Sequence, residues 1–156
     1  MGIELLILFI LIVLNAFFAA SEIALISLND NKVKMEAEKG DKKAILLHNL
    51  LSEPSRFLAT IQIGITLAGF LASAFAAESF AGRLTSFLLD MGVPVSAALL
   101  ETISVVVITL ILSYFTLVLG ELVPKRLALQ KAEGISRFAV VPLSVLSKIS
   151  DFFSFR

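Results

Sequence analysis

The 156-residue sequence predicts an all-α integral membrane protein. Three observations point there. Apolar residues make up 58% of the chain and charged residues 17%, against roughly 45–50% and about 25% in soluble domains. Three stretches are long and apolar enough to cross a bilayer core of roughly 30 Å as helices, which takes about 20 residues each. The basic residues are also partitioned to one side of those stretches. The 13 Lys+Arg balance 13 Asp+Glu, so the basic excess of a nucleic-acid binder is absent, and no nucleic-acid partner is expected. With no Cys and a single His, His48, neither a disulfide framework nor a thiolate or histidine metal cluster is available. No nucleophile–base pair is evident, so the chain is not expected to be an enzyme.

The first span occupies residues 1–28, interrupted by Asn15, Ser21, Glu22 and Ser27. It has no basic leader and runs on into Ser21-Glu22, so it reads as a retained helix rather than a signal peptide. Residues 29–56 form a polar helical hairpin: Asp30 caps one short helix, Gly40 ends it, Asp41 caps the next, and Pro54 closes it. The second span covers 57–81, with Gln62 and Glu78 as its strongly polar members, and the third 93–121, uncharged from Thr102 to Gly120. After Pro124 the apolar pattern is broken by Arg137, Pro142, Lys148 and Asp151. Residues 122–156 therefore read as a belt of juxtamembrane helices, an amphipathic helix or kinked pair at the interface. The aromatic run to Phe155 and Arg156 reads as the start of a linker to a further soluble domain. Twelve of the thirteen basic residues flank the hairpin and the belt, and only Arg83 lies between the second and third spans. The positive-inside rule then puts the N-terminus outside and the hairpin and C-terminus in the cytoplasm.

Ionisable and polar groups inside a span are costly and mark function by default. Ser21 and Glu22 in the first span, Gln62, Gly64 and Thr66 with Gly69 in the second, and Gly120 and Glu121 in the third fall at similar depth. This predicts that oxygen atoms from three helices meet around Glu121. Each residue also has a plainer reading. Asn15 suits an interhelical hydrogen bond. Ser21 and Thr66 suit hydroxyls bonded back to a carbonyl one turn earlier. Glu22 suits a pair with a boundary lysine. The stripe Gly64, Ala68, Ala72, Ala76 suits close helix packing. Pro124 and Gly120 are expected to break the third helix beside Glu121, freeing carbonyls for a cation, with Lys125 within reach of Glu121. Hydroxyl, carbonyl and carboxylate oxygens are the ligands a hard cation such as Mg²⁺ takes.

Three stretches carry a specific resemblance: Leu14-Asn15-Ala16-Phe17-Phe18-Ala19-Ala20-Ser21-Glu22-Ile23-Ala24-Leu25, Ala59-Thr60-Ile61-Gln62-Ile63-Gly64-Ile65-Thr66-Leu67 and Gly120-Glu121-Leu122-Val123-Pro124-Lys125. In order and spacing they resemble the transmembrane domain of the CNNM/CorC family, in its bacterial hemolysin-like branch. The resemblance implies a homodimer in the bacterial inner membrane, three spans with a juxtamembrane belt, and a following cytoplasmic CBS-pair module. It implies Mg²⁺ (or Co²⁺) efflux, with Na⁺-coupled exchange. Of the site, Glu121 and Gly120 match the family; the expected metal site as a whole is Glu121, Gly120, Ser21, Gly69, Ala68 and Thr66, with Pro124 and Lys125 at the gating helix break. Two positions depart from the family pattern: Ala19 stands where relatives often have Ser, and Gly69 where they often have Asn. A site that keeps its carboxylate and loses small-ion ligands suits an organic dication, so polyamine or diamine export stands as an alternative. A non-transporting membrane anchor or sensor is a third.

Overall fold

The computed structural model describes residues 1–154, and Phe155 and Arg156, the end of the expected belt, lie outside the described residues. All the regular structure in those residues is helical, in the order α1 Gly2–Ile26, α2 Asp30–Glu38, α3 Lys42–Ser52, α4 Pro54–Asp90, α5 Ala97–Leu117, a π-helical segment Val118–Leu122, α6 Val123–Gln130 and α7 Ala132–Ser154. Three rods are long and apolar enough to span a membrane: Gly2–Ile26, Pro54–Asp90 and the continuous Ala97–Gln130. Their outward side chains, among them Phe9, Phe70 and Leu110, are exposed, and in a membrane they contact the acyl chains of the bilayer.

The hairpin forms largely as its turn chemistry dictates. Asp41 accepts from the amides of Lys43 and Ala44 at 3.0 and 3.2 Å, capping α3. Gly40 takes φ +92° in the connection, a conformation open to glycine at little cost. The cap of α2 is Asn29 rather than Asp30: its Oδ1 accepts from Asn31 and Lys32, and Asp30 sits in the first turn. An acid there complements the helix dipole. Pro54 opens α4 instead of closing the hairpin, because a first-turn proline forfeits no helical hydrogen bond.

Two of the spanning helices extend past the expected spans. The helix of the second continues past residue 81 and runs 37 residues to Asp90, about 55 Å at 1.5 Å per residue. Gly82 does not stop it, and Arg83 there donates to Glu4 of α1 at 2.7 Å. The third begins at Ala97, capped by Ser96, and does not end at 121. The last helix is a single rod with Pro142 inside it.

Packing follows the small-residue stripe. Ala68, Ala72 and Ala76 are buried, and the ring of Phe18 from α1 lies so close to Gly64 that a Cβ there would sit 2.6 Å from it. At the hairpin end, Leu25, Val33, Leu47, Phe57, Ile61, Val140 and Leu143 form the main apolar core. Ion pairs lock α7 to the hairpin. Arg137 donates to Asp41 at 2.7 Å and Glu36 at 3.2 Å, and Lys32 to Glu133 at 2.6 Å.

Candidate functional site

A buried polar junction between spanning rods joins α1 to the π-helical segment. Asn15, 1% exposed, donates from Nδ2 to the Gly120 carbonyl at 3.0 Å. The cause is local. In a regular α-helix that carbonyl would accept from residue 124, but Pro124 has no N–H and its ring crowds the same oxygen. The expected break is not formed. The rod widens instead by one turn in which the Val123 amide bonds Val118 five residues back, and the helix continues to Gln130. A π turn absorbs the proline while keeping most backbone bonds, which in hydrocarbon is cheaper than an open break. Gly120 also lets Asn15 approach, since a Cβ on it would lie 3.0 Å from Nδ2. Thr116, one turn earlier, borders the junction, and its Oγ1 is buried with no hydrogen-bond partner.

The remaining predicted residues divide between this junction and other places. Glu121 follows Gly120 in the π turn, half-buried, and carries no ion pair among the described residues. Lys125 does not pair with Glu121. It reaches across to Glu22 on α1 at 3.4 Å, because the extra residue of the π turn rotates the downstream face. Ser21 is fully buried and donates to the Phe17 carbonyl at 2.6 Å, the back-bonded arrangement open to it.

The second span does not close the ring. Gln62 and Thr66 are exposed and bond each other at 3.4 Å. A Cβ on Gly69 would meet open space. Ala68 is buried, but it lines an apolar groove of about 230 Å³ with Phe18 and Gly64 whose walls include neither Gly120 nor Glu121. Meeting of all three spans around Glu121 is therefore not achieved within one chain. The reason is that α1 is the element packed against both α4 and the π segment, so the polar edge of α4 is left on the outside.

Comparison with known proteins places this arrangement. The family model described as the cyclin M transmembrane N-terminal domain (CNNM) matches residues 6–155. The chain belongs to the CNNM family. A UPF0053 protein of Synechocystis sp. is 41% identical over 133 residues, covering 85% of this chain and 29% of the relative. The UPF0053 inner membrane protein YfjD of Escherichia coli is 29% identical, covering 85% of this chain and 28% of the relative. A DUF21 domain-containing, chloroplastic protein of Arabidopsis thaliana is 33% identical over 92% of this chain. The chain spans less than a third of the length of these relatives.

In this CNNM chain, sequence reasoning missed Thr116. Its signal was available: it stands four residues before Gly120, on the same helix face, in a run with few other polar groups. No three His, Asp or Glu side chains converge among the described residues. The donors at the CNNM junction are of another kind: an amide oxygen on Asn15, a hydroxyl on Thr116, the Gly120 carbonyl and, one residue on, the Glu121 carboxylate. Neutral oxygens with one carboxylate fit a hard or organic cation better than a soft metal.

Proposed function

We propose that the chain is the membrane domain of a cation transporter that moves a divalent cation, Mg²⁺ or a close relative, out of a bacterial cell across the inner membrane. The carrying observation is Glu121: an acid in a membrane-spanning rod, without an ion pair among the described residues, beside a widened turn. Such a group is expensive unless it serves a charged cargo. It would neutralise the ion, while carbonyl and side-chain oxygens at the turn replace part of the water shell. Na⁺ is proposed as the coupling ion. The N-terminus is taken as outside and the hairpin as cytoplasmic, on the distribution of Lys and Arg. A CBS-pair module following the membrane domain would supply regulation, and no catalysis is assigned to the chain.

A second copy completes the site in this reading. Gln62 and Thr66 face outward from a spanning helix, where lipid offers an amide no partner. A homodimer covering that edge of α4 satisfies them. The experiment is Mg²⁺ flux in reconstituted vesicles with Glu121→Gln, which keeps the shape and removes the charge. Flux and Mg²⁺-dependent thermal protection should be lost while the protein stays folded. Transport at the wild-type rate would refute the proposal.

One observation favours diamine export instead. Ser21 is already bonded to Phe17, and Ala19 and Gly69 offer no side-chain ligand, so few small-ion ligands remain. Competition between Mg²⁺ and a diamine in the same vesicles separates the two cargoes. An anchor or sensor predicts neither flux nor cation-dependent protection.

A further inference from the structure

A cavity of about 390 Å³ opens between α3, the first turn of α4 and α7. It lies at the hairpin end, where Phe57 begins the apolar face of the 37-residue helix, and so at a membrane boundary. Beside it, α7 presents Phe138, Val141, Val145, Ile149 and Phe152 as one exposed apolar stripe, the face of a helix lying in the interface. The cavity floor includes Leu50 and Phe57. Its polar wall carries Glu53, Arg56, Ser144, Ser147, Lys148 and Asp151.

Three features of that wall point to a ligand. Ser147 is more than nine-tenths buried, at 8% exposure, lines the cavity, and its hydroxyl makes no hydrogen bond among the described residues. Lys148 has no carboxylate partner among them either. The cavity also opens at the N-terminal end of α4, where Glu53 and Arg56 line it, so the positive end of a long helix dipole borders it. These are anion-binding elements. The wall also holds two carboxylates, Glu53 and Asp151, both paired with Arg56. Two cations and two anions leave the wall neutral, which suits a zwitterion better than a net anion.

We propose that this cavity binds the zwitterionic headgroup of a phospholipid of the phosphoethanolamine type, drawn from the leaflet at the hairpin end. The phosphate lies against Lys148 and the Ser144 and Ser147 hydroxyls, beside the N-terminal end of α4. The primary ammonium lies against Glu53 and Asp151, and the acyl chains follow the apolar stripe of α7 into the bilayer.

The test is lipid binding by the purified, delipidated chain, read by native mass spectrometry. It is titrated with short-chain phosphatidylethanolamine, phosphatidylcholine and phosphatidylglycerol, and with soluble phosphoethanolamine. Phosphatidylethanolamine should bind best. Lys148→Ala, an exposed position that folding tolerates, should weaken it by about tenfold, the size of one charge-assisted hydrogen bond. Glu53→Gln should erase the preference over phosphatidylglycerol. Ser147→Ala should weaken binding at unchanged thermal stability. Equal binding of the three lipids, or no effect of Lys148→Ala, overturns the proposal. Soluble phosphoethanolamine binding as tightly as the lipid would overturn the membrane as its source.

Discussion

Asn15 and Gly120 are joined by a 3.0 Å hydrogen bond from a side-chain amide of one spanning helix to a backbone carbonyl of another, and Pro124 is what leaves that carbonyl available. Removing the donor should therefore strand an acceptor in hydrocarbon. Asn15→Ala is expected to cost about 1–2 kcal/mol, the range of interhelical bonds in membranes, read as a lower unfolding temperature in detergent. Pro124→Ala in that background should recover part of the loss by restoring the missing N–H. If the double variant is no more stable than the single one, the carbonyl is not what Asn15 serves.

Gly64 and Gly69 of α4 should respond oppositely. Gly64→Ala drives a methyl into the Phe18 ring, and overpacking of this kind costs about 1–3 kcal/mol. Gly69→Ala meets open space within the chain and should be neutral or stabilising by up to about 1 kcal/mol through helix propensity. Thermal melts of the pair check this. A second copy packed on that edge reverses the Gly69 result, which makes the same melts a probe of the dimer.

Acidification should loosen the hairpin from α7 before it unfolds the spans. The hydrogen bond from Arg137 holds the Asp41 carboxyl below its ordinary range, with help from the Ala44 amide. The hydrogen bond from Lys32 does the same for Glu133. A folded-state pKa below the unfolded one adds stability that is present above the unfolded value and is lost as pH falls through the folded one. The protection of α2 and α3 amides against hydrogen exchange should therefore fall below about pH 4. Arg137→Gln should remove the part of that pH dependence carried by Asp41, and leave the part carried by Glu133.

Charge reversal across the α1 junction gives a further check. Lys125→Glu sets two carboxylates face to face and should destabilise, while Glu22→Lys combined with Lys125→Glu should restore the pair. The effect is expected to be about 0.5–1 kcal/mol for partly exposed partners, measured as the coupling in a double-mutant cycle. No coupling would mean the 3.4 Å pair contributes nothing.

The class, the number of spans and the cap of the second hairpin helix were legible because each is written locally. Apolar length marks a span, and Asp41 and Gly40 are turn chemistry. The stripe Gly64 to Ala76 was legible by its four-residue period. Span ends were not. Gly82 and Arg83 look like a terminus, but helix continuation past the apolar run is decided by contacts such as Arg83 with Glu4, which local sequence does not contain. The outcome at Pro124 was half legible. The conflict between its ring and the Gly120 carbonyl could be read, but whether the rod breaks or widens depends on Asn15, 105 residues away. Likewise the partner of Lys125 could be read as Glu121 at a plain i,i+4 spacing. The phase shift that sends it to Glu22 exists only once the turn has widened.

The widened turn behaves as a spare residue threaded into an otherwise regular screw. Each residue of a helix advances the azimuth by about 100°, so all that follows Leu122, Lys125 included, points where it does only because that spare residue is present. Deleting a single apolar residue such as Leu119 would leave composition and length nearly untouched, yet would re-aim the whole lower segment. In this short stretch the count of residues matters more than their identity.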